Sequence, residues 1–299
     1  MAFPTGTETQ ASLANEIPLL WGERLNDFFK AKLVAAPFFT DRSSELADGG
    51  KSLYTPTLTE MTASAKVNAT TVNLNAPSDP KITLTVDQWF ECSFAIEDLE
   101  AAQVKRSYVL MERYAKNAGY SIAKKLDIAI TTLFANFSNT VGTSTVNLAD
   151  SDIRNAIAFL DSNDVDSMEA AFFMAPNVFW KQIQALDKFS LAINSPVNDP
   201  TSKNPDAYLY GRKVYITTTI INVSGATGRF NAFAHPDAIH WATSPLGAGG
   251  SMGSMVGSKG IRVQSNYIPQ YLSTVTTADI AYGVIENRDN AGVTVVTPA

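Results

Sequence analysis

Apolar side chains return along this chain with two different periods, and the changes from one to the other divide it into segments. From Glu16 to Ala35, Ile17, Leu20, Trp21, Leu25, Phe28 and Phe29 recur at roughly helical spacing, with Arg24, Asp27, Lys30 and Lys32 filling much of the remainder. One amphipathic helix cannot bury that much aromatic surface by itself, so its face must dock elsewhere, on this chain's own core or on a neighbouring copy. Residues 46–92 are rich in Thr, Asn, Ser and Val and switch to alternation. Lys51–Leu58 and Lys81–Val86 read as strands, the second with Ile82, Leu84 and Val86 on one face. Lys66–Leu74 alternates loosely, with Val67, Ala69, Thr71 and Asn73 sharing one parity. Pro77, Asp79 and Pro80 mark a turn before the last strand. Strongly apolar positions are too few here for a separate core. A long hairpin projecting from a body built elsewhere fits better.

The helical period then dominates from Ile96 to about Asn139. Val104, Tyr108, Met111, Ala115, Ala118, Ile122, Leu126, Ala129, Leu133 and Phe137 recur at steps of three or four. Glu97, Asp98 and Glu100 suit a helix start, Ser107 is a candidate cap for a second start after a break near Lys105, and Glu112 and Lys116 form a correctly ordered i,i+4 pair. No proline falls between Pro80 and Pro176. Gly119 costs about 1 kcal/mol relative to Ala without ending the pattern. Counted from Ser107 to Phe137, the helix is about 45 Å long, a spine on which other elements can lie.

Beyond Asn147 the pattern is mixed. Ile153, Ala156, Ile157 and Leu160 stripe a short helix entered at Asp150 or Ser151; Ala170–Ala175 reads as a buried strand; Phe179, Ile183 and Leu186 mark another helix. Pro196, Pro200 and Pro205 punctuate a loop. Val214, Ile216, Thr218 and Ile220 alternate as a strand, Phe230–Ala234 is another, and residues 244–260 form a glycine-rich flexible loop. Thr277–Val296 returns to strand material with a turn near Asn287–Gly292. There is no sequence repeat.

The chain of 299 residues is 45% hydrophobic and 17% charged, which describes an ordered, charge-lean globular protein with enough chain for a real core. Its net charge of −6 argues against tight nucleic-acid binding, which needs a basic surface to neutralise phosphates. One cysteine, Cys92, excludes an internal disulfide framework and a cysteine metal cage. No stretch approaches the length of a membrane span, and the start carries neither a basic nor an apolar signal region, so a soluble product of the cytosol is expected.

The chemical motifs fail on context. Gly249, Ser251 and Gly253 match a nucleophile elbow, but both histidines precede Ser251, and Gly257 and Gly260 follow where a helix should begin. Gly257, Ser258, Lys259 and Gly260 lack the spacing of a phosphate loop. His235 and His240 are five apart, which puts them on no common face of a helix or strand, and Pro236 interrupts between them. No spacing singles out a carboxylate pair. The chain is therefore expected to be no enzyme, with no catalytic, cofactor-binding or metal residues.

Four local patterns, in order, carry a resemblance: CSFAIEDLEAAQ at 92–103, YAKNAGYSIAKKLDIAI at 114–130, FAHPDAIHWA at 233–242 and ADIAYGV at 278–284. With the arm, hairpin and spine they resemble the major capsid (coat) protein of tailed bacteriophages over nearly the full chain. The resemblance implies an α+β, HK ninety-seven-like fold. Its parts would be an N-terminal arm at 1–45, an extended loop at 46–92, and a peripheral domain with the spine helix at 93–142. An axial domain at 143–271 and peripheral return strands at 272–299 would follow. It also implies self-assembly into hexamers and pentamers of an icosahedral shell around double-stranded DNA, held without sequence specificity.

Trp21, Phe28 and Phe29 of the arm and Leu53, Tyr54, Ile82 and Leu84 of the hairpin are the expected inter-subunit contacts. A scaffolding protein, a portal protein and a decoration protein would be further partners; membranes would not. The expected location is the virion capsid, after synthesis and assembly in the host bacterial cytoplasm. Lys51, Lys66 and Lys81 lie in or beside the extended loop, where some relatives cross-link through a Lys and an Asn, but no match fixes a partner. A bacterial nanocompartment shell of the same fold, and a carboxylate-dependent hydrolase, are the alternative readings.

Overall fold

The computed structural model describes residues 33–299 except 48–49, 59–60, 73, 76–79, 100–106, 184, 187–206, 224–227, 246–254, 257–259 and 299. The arm helix, with Trp21, Phe28 and Phe29, lies outside the described residues, as does Ser251. The described chain opens with one helical turn, α1 (Ala35–Phe38), then β1 (Thr40–Asp41) and a 3-10 turn at Ser43–Leu46. β2 (Ser52–Pro56) and β3 (Lys81–Thr85) pair antiparallel, Leu53 opposite Leu84, as the alternation of the sequence predicts.

β4 (Gln88–Glu97) overturns part of the helical reading. Phe90, Phe94 and Ile96 alternate on one face of a strand, so Ile96 and Glu97 end a strand rather than start a helix. The spine helix is α2 (Ser107–Thr132), 26 residues or about 39 Å, and Leu133–Ala135 tightens into a 3-10 turn. β5 (Thr140–Gly142), α3 (Asp150–Ser162) and β6 (Ala171–Met174) follow. In α3, Asp152 accepts the Ala149 N–H at 3.0 Å, satisfying an orphan donor at the helix start. The short helix expected at Phe179 and Ile183 begins as an α-helical turn at Pro176–Val178 and continues in π form over Phe179–Ile183. β7 (Ala207–Leu209) and β8 (Arg212–Ile216) come next; the predicted strand stops at Ile216, because Thr217 and Thr219 turn inward to bond each other at 2.9 Å. The remaining strands are β9 (Gly228–Ala234), β10 (Ile239–Ser244), β11 (Met255–Val256), β12 (Arg262–Ile268), β13 (Ser273–Glu286) and β14 (Gly292–Pro298).

Two six-stranded sheets result. The first runs β1-β10-β13-β12-β11, with β4 also on β13. β13 is its axis: residues 273–282 pair with β4 on one edge, while 273–279 pair with β12 and 281–286 with β10 on the other. The second runs β5-β14-β9-β6-β8-β7. The sheets do not follow the sequence blocks: β10 and β12 join β13, and β14 joins the second sheet.

α2 supplies Ala118, Ile122, Leu126 and Ile130, at steps of four, to a core that takes Ala278, Ile280 and Tyr282 from the first sheet and Phe173, Ala232 and Ala234 from the second. α3 lays Ile153, Ala156, Ile157 and Leu160 on the other face of the second sheet, against Phe172, Phe233, Val293 and Val295. β6 is buried on both faces, which explains its continuous apolar run.

Two polar residues interrupt the apolar arc of α2, and both are fully buried. Asp127 Oδ1 accepts the N–H of Ala35 at 2.8 Å and of Ala36 at 3.2 Å, and Oδ2 accepts the Thr219 hydroxyl at 3.0 Å. One turn along, Thr131 donates to the Thr219 carbonyl at 3.0 Å. Burial pushes the Asp127 carboxyl above the usual carboxylate range, against the pull of these donors. The carboxylate thus fixes the start of α1 and the 217–220 segment onto the spine. Asp127→Ala, which removes the acceptor of the Ala35 and Ala36 N–H groups and of the Thr219 hydroxyl, is expected to lower unfolding free energy by about 2–4 kcal/mol in a denaturant titration.

The hairpin docks by its base. Leu84, 2% exposed, packs with Leu46 and Ala242, and Leu53, Val86 and Ile285 close around them. Beside this contact β13 runs so near that a Cβ on Gly283 would lie 2.1 Å from the Thr85 carbonyl oxygen. Gly283→Ala is expected to force the base outward at about 1–3 kcal/mol, read as faster amide exchange in 52–56 and 81–85 than in β9.

At the end of β13, burial together with a hydrogen bond and the charge of Asp289 pushes the Glu286 carboxyl up to about 7. Its folded value lies above the unfolded one, so its contribution is present below about pH 4.5 and is lost as pH rises through about 7. Unfolding free energy measured over this window should fall more steeply with pH in the native chain than in Glu286→Gln.

Candidate assembly surfaces

Each hairpin residue has a definite place. Leu84 and, in part, Leu53 are taken up by this chain's own core, which corrects the expectation that Leu84 meets a neighbour: a side chain already 2% exposed has no surface left to offer. Ile82 is half-buried opposite Thr55. Tyr54 points the other way and is 59% exposed, with the Lys81 ammonium 4.7 Å from its ring centroid. Arg42 braces the base, bonding the Thr55 hydroxyl and holding Glu45 at 2.5 and 2.7 Å. That charge pair holds the Glu45 carboxyl below its usual range.

Past the base the chain changes character. The alternation at 66–74 makes no strand among the described residues. Instead Thr70 turns back on the Val67 carbonyl, through its N–H at 3.4 Å and its hydroxyl at 2.8 Å, and Ala69 adopts φ +59. Alternation without a partner strand leaves the backbone to bond locally. Asn75 reaches across to the Thr62 carbonyl at 2.8 Å, tying the two sides of the loop. Leu58, Met61, Val67, Val72 and Leu74 are all exposed, Leu74 at 90%. Five large apolar side chains on one projecting loop are a contact surface by composition.

A second exposed group surrounds the turn between β12 and β13. Asp98 N–H donates to the Leu272 carbonyl at 2.9 Å and Tyr267 donates to the Asp98 carboxylate at 2.7 Å. These bonds bring Leu99, Tyr267, Tyr271 and Leu272 together at one end of the first sheet, all exposed. β4 is the adjacent edge strand, and Trp89 stands out from it, its indole N–H on Asp279 at 3.1 Å. Asp279, nearly buried, is held by Arg262 at 2.5 and 2.9 Å. Sequence reasoning missed this second surface because it saw no strand before Ile96 and placed Ile96 and Glu97 in a helix. The alternation of Phe90, Phe94 and Ile96 was the available signal.

Among the described residues the two histidines lie in separate surroundings. His235 Nδ1 accepts the Asp237 N–H at 3.2 Å, so its proton is on Nε2, 3.2 Å from Glu169. His240 lies apart, buried in the first sheet. Among the described residues no group of three or more His, Cys, Asp or Glu is placed to hold a metal, and no helix is long and apolar enough to cross a membrane.

No protein-family model and no curated protein matches the chain by sequence. Solved structures do match. A structure from Mycobacterium phage Che8 superposes with a TM-score of 0.73 at 17% identity, covering 93% of this chain and 96% of that one. The capsid structure of the cyanophage P-SCSP1u gives 0.73 at 13% identity, covering 99% and 96%. The mature capsid of bacteriophage PhiM1 gives 0.73 at 12%, covering 94% and 92%. Across almost its whole length, the chain has the α+β fold of these phage capsid structures.

Proposed function

We propose that this chain is a structural shell protein, the major capsid protein of a tailed phage. The observation that carries the reading is the pairing of a capsid fold over almost the whole chain with a projecting loop whose apolar side chains find no cover among the described residues. A body that leaves Leu58, Met61, Val67, Val72 and Leu74 in water gains by laying them on a neighbour. Repeated head to tail around a ring, such a contact is heterologous and closes into hexamers and pentamers. Permanent contacts of this kind bury more than about 2,000 Å² in total. The exposed end of the first sheet, with Tyr271 and Leu272, offers a separate surface through which one ring meets the next.

In this reading the first sheet and α2 form most of the peripheral domain, the second sheet and α3 the axial one, and Trp21, Phe28 and Phe29 belong to an arm that crosses to another subunit. The net charge of −6 suits a container that does not grip its DNA. Scaffolding, portal and decoration proteins complete the set of partners, with assembly in the bacterial cytoplasm and residence in the virion. The same fold would serve a nanocompartment, but phage capsids among the matching structures favour the viral reading.

Electron microscopy of the purified chain, expressed alone and with its genomic neighbours, is expected to show closed icosahedral particles or capsomer rings. A chain that stays monomeric at high concentration in both cases sinks the proposal. Replacing Leu58, Met61 and Leu74 together by Ser should abolish particles and leave the denaturant midpoint within about 0.5 kcal/mol of the parent, since these side chains contribute nothing to the isolated fold.

A further inference from the structure

The Trp241 indole N–H holds the chain ahead of β1, bonding the Ala36 and Phe39 carbonyls at 3.1 and 3.3 Å, while β1 itself is two residues long. It makes two ladder pairs with β10, Thr40 beside His240 and Asp41 beside Trp241. To these are added the Arg42 N–H on the Trp241 carbonyl at 2.9 Å and the Thr243 N–H on the Ser43 hydroxyl at 3.0 Å. This short seam joins the chain leaving α1 to the body, and through Arg42 and Leu46 it reaches the hairpin base. His240 sits in its middle. The ring is buried, and its Nε2 makes no hydrogen bond. The nearest carboxylate oxygen, Asp237 Oδ1, is 4.0 Å away and already accepts the Thr40 hydroxyl at 3.1 Å.

We infer that the β1–β10 seam is an acid-sensitive latch, in which a proton taken up by His240 loosens residues 40–46 from the first sheet. An imidazolium at this position draws on the same Asp237 Oδ1 that the Thr40 hydroxyl uses, and so weakens the Thr40 bond there and leaves that hydroxyl to the Pro236 carbonyl at 3.2 Å. The ring also meets cations from two sides, Arg42 from the chain after β1 and Arg288 from the chain after β13, against the carboxylates of Asp237 and Glu45. Burial first, and then Arg42, hold the His240 pKa below the ordinary histidine value; Arg288 adds to this, and the two carboxylates do not restore it. The sign follows. With the closed value depressed, the open seam binds the proton more readily, so closure is favoured above about pH 6.5 and weakens as pH falls below it.

The latch is a property of the single chain and stands or falls apart from shell formation. Hydrogen exchange on the full-length unassembled protein between pH 7 and pH 5, corrected for intrinsic exchange, reads it directly. The opening constant of 40–46 and 239–244 should rise by up to about tenfold per pH unit below 6.5, with β6 and β9 unchanged. His240→Gln should remove this dependence. Glu286→Gln should keep it, because Glu286 titrates with the opposite effect on stability. Unchanged or increased protection of the seam on acidification in the Glu286→Gln chain, where the opposing titration is absent, overturns the inference whether or not the His240 variant folds.

Discussion

A single buried carboxylate organises the centre of this molecule. Asp127 is the point where the spine helix, the turn that begins the described chain and the 217–220 segment of the second sheet's connections are tied together. A fully buried anion is costly, and here three donors offset that cost, two from the start of α1 and one from Thr219. The bonds are directional where the surrounding apolar contacts are not. They fix how far along α2 the other two segments sit, something Ile122, Leu126 and Ile130 could satisfy at several offsets. The Thr131 bond to the Thr219 carbonyl repeats the same constraint one turn on.

Around that point the architecture is a division of labour between two sheets that share one helix. The second sheet is covered on both faces and is inert, a packed layer between α2 and α3. The first sheet packs on α2 by one face, and three exposed apolar groups lie around it: the hairpin loop, Trp89 on β4, and the cluster at Tyr271 and Leu272. β13 runs through all of this as the common neighbour of β4, β12 and β10. The geometry of the exposed surfaces is therefore set by one strand and one helix.

Much of this was legible in the residues. α3 announced itself through Ile153, Ala156, Ile157 and Leu160, β6 through its apolar run, and β2 and β3 through alternation bounded by prolines. These elements have one dominant period and a clear stop. β4 was lost because Ile96 satisfies both the strand series of Phe90 and Phe94 and the helical series that follows. The 66–74 alternation misled for the opposite reason: it has strand composition and no partner. Asp127 left a signal that went unused, a charged residue between Leu126 and Ile130 with Thr131 four positions after it. Two polar residues on a helical arc that is otherwise buried point to a distant hydrogen-bonding partner, though not to Ala35 or Thr219, which only the folded chain brings near. For the same reason Leu84 could be placed on an apolar face but not credited to the right core.

The loop between β2 and β3 sets a limit on the isolated molecule. Its apolar atoms stand in water, on a segment that among the described residues is braced by its own turns and by Asn75, so a solitary copy carries an uncompensated hydration cost from the moment it folds. That cost scales with no internal variable the chain controls. It is relieved only by collision, productive or otherwise, and its rate rises with how crowded the copies are. Dilution, more than any stabilising substitution, is then what keeps such a chain single and tractable.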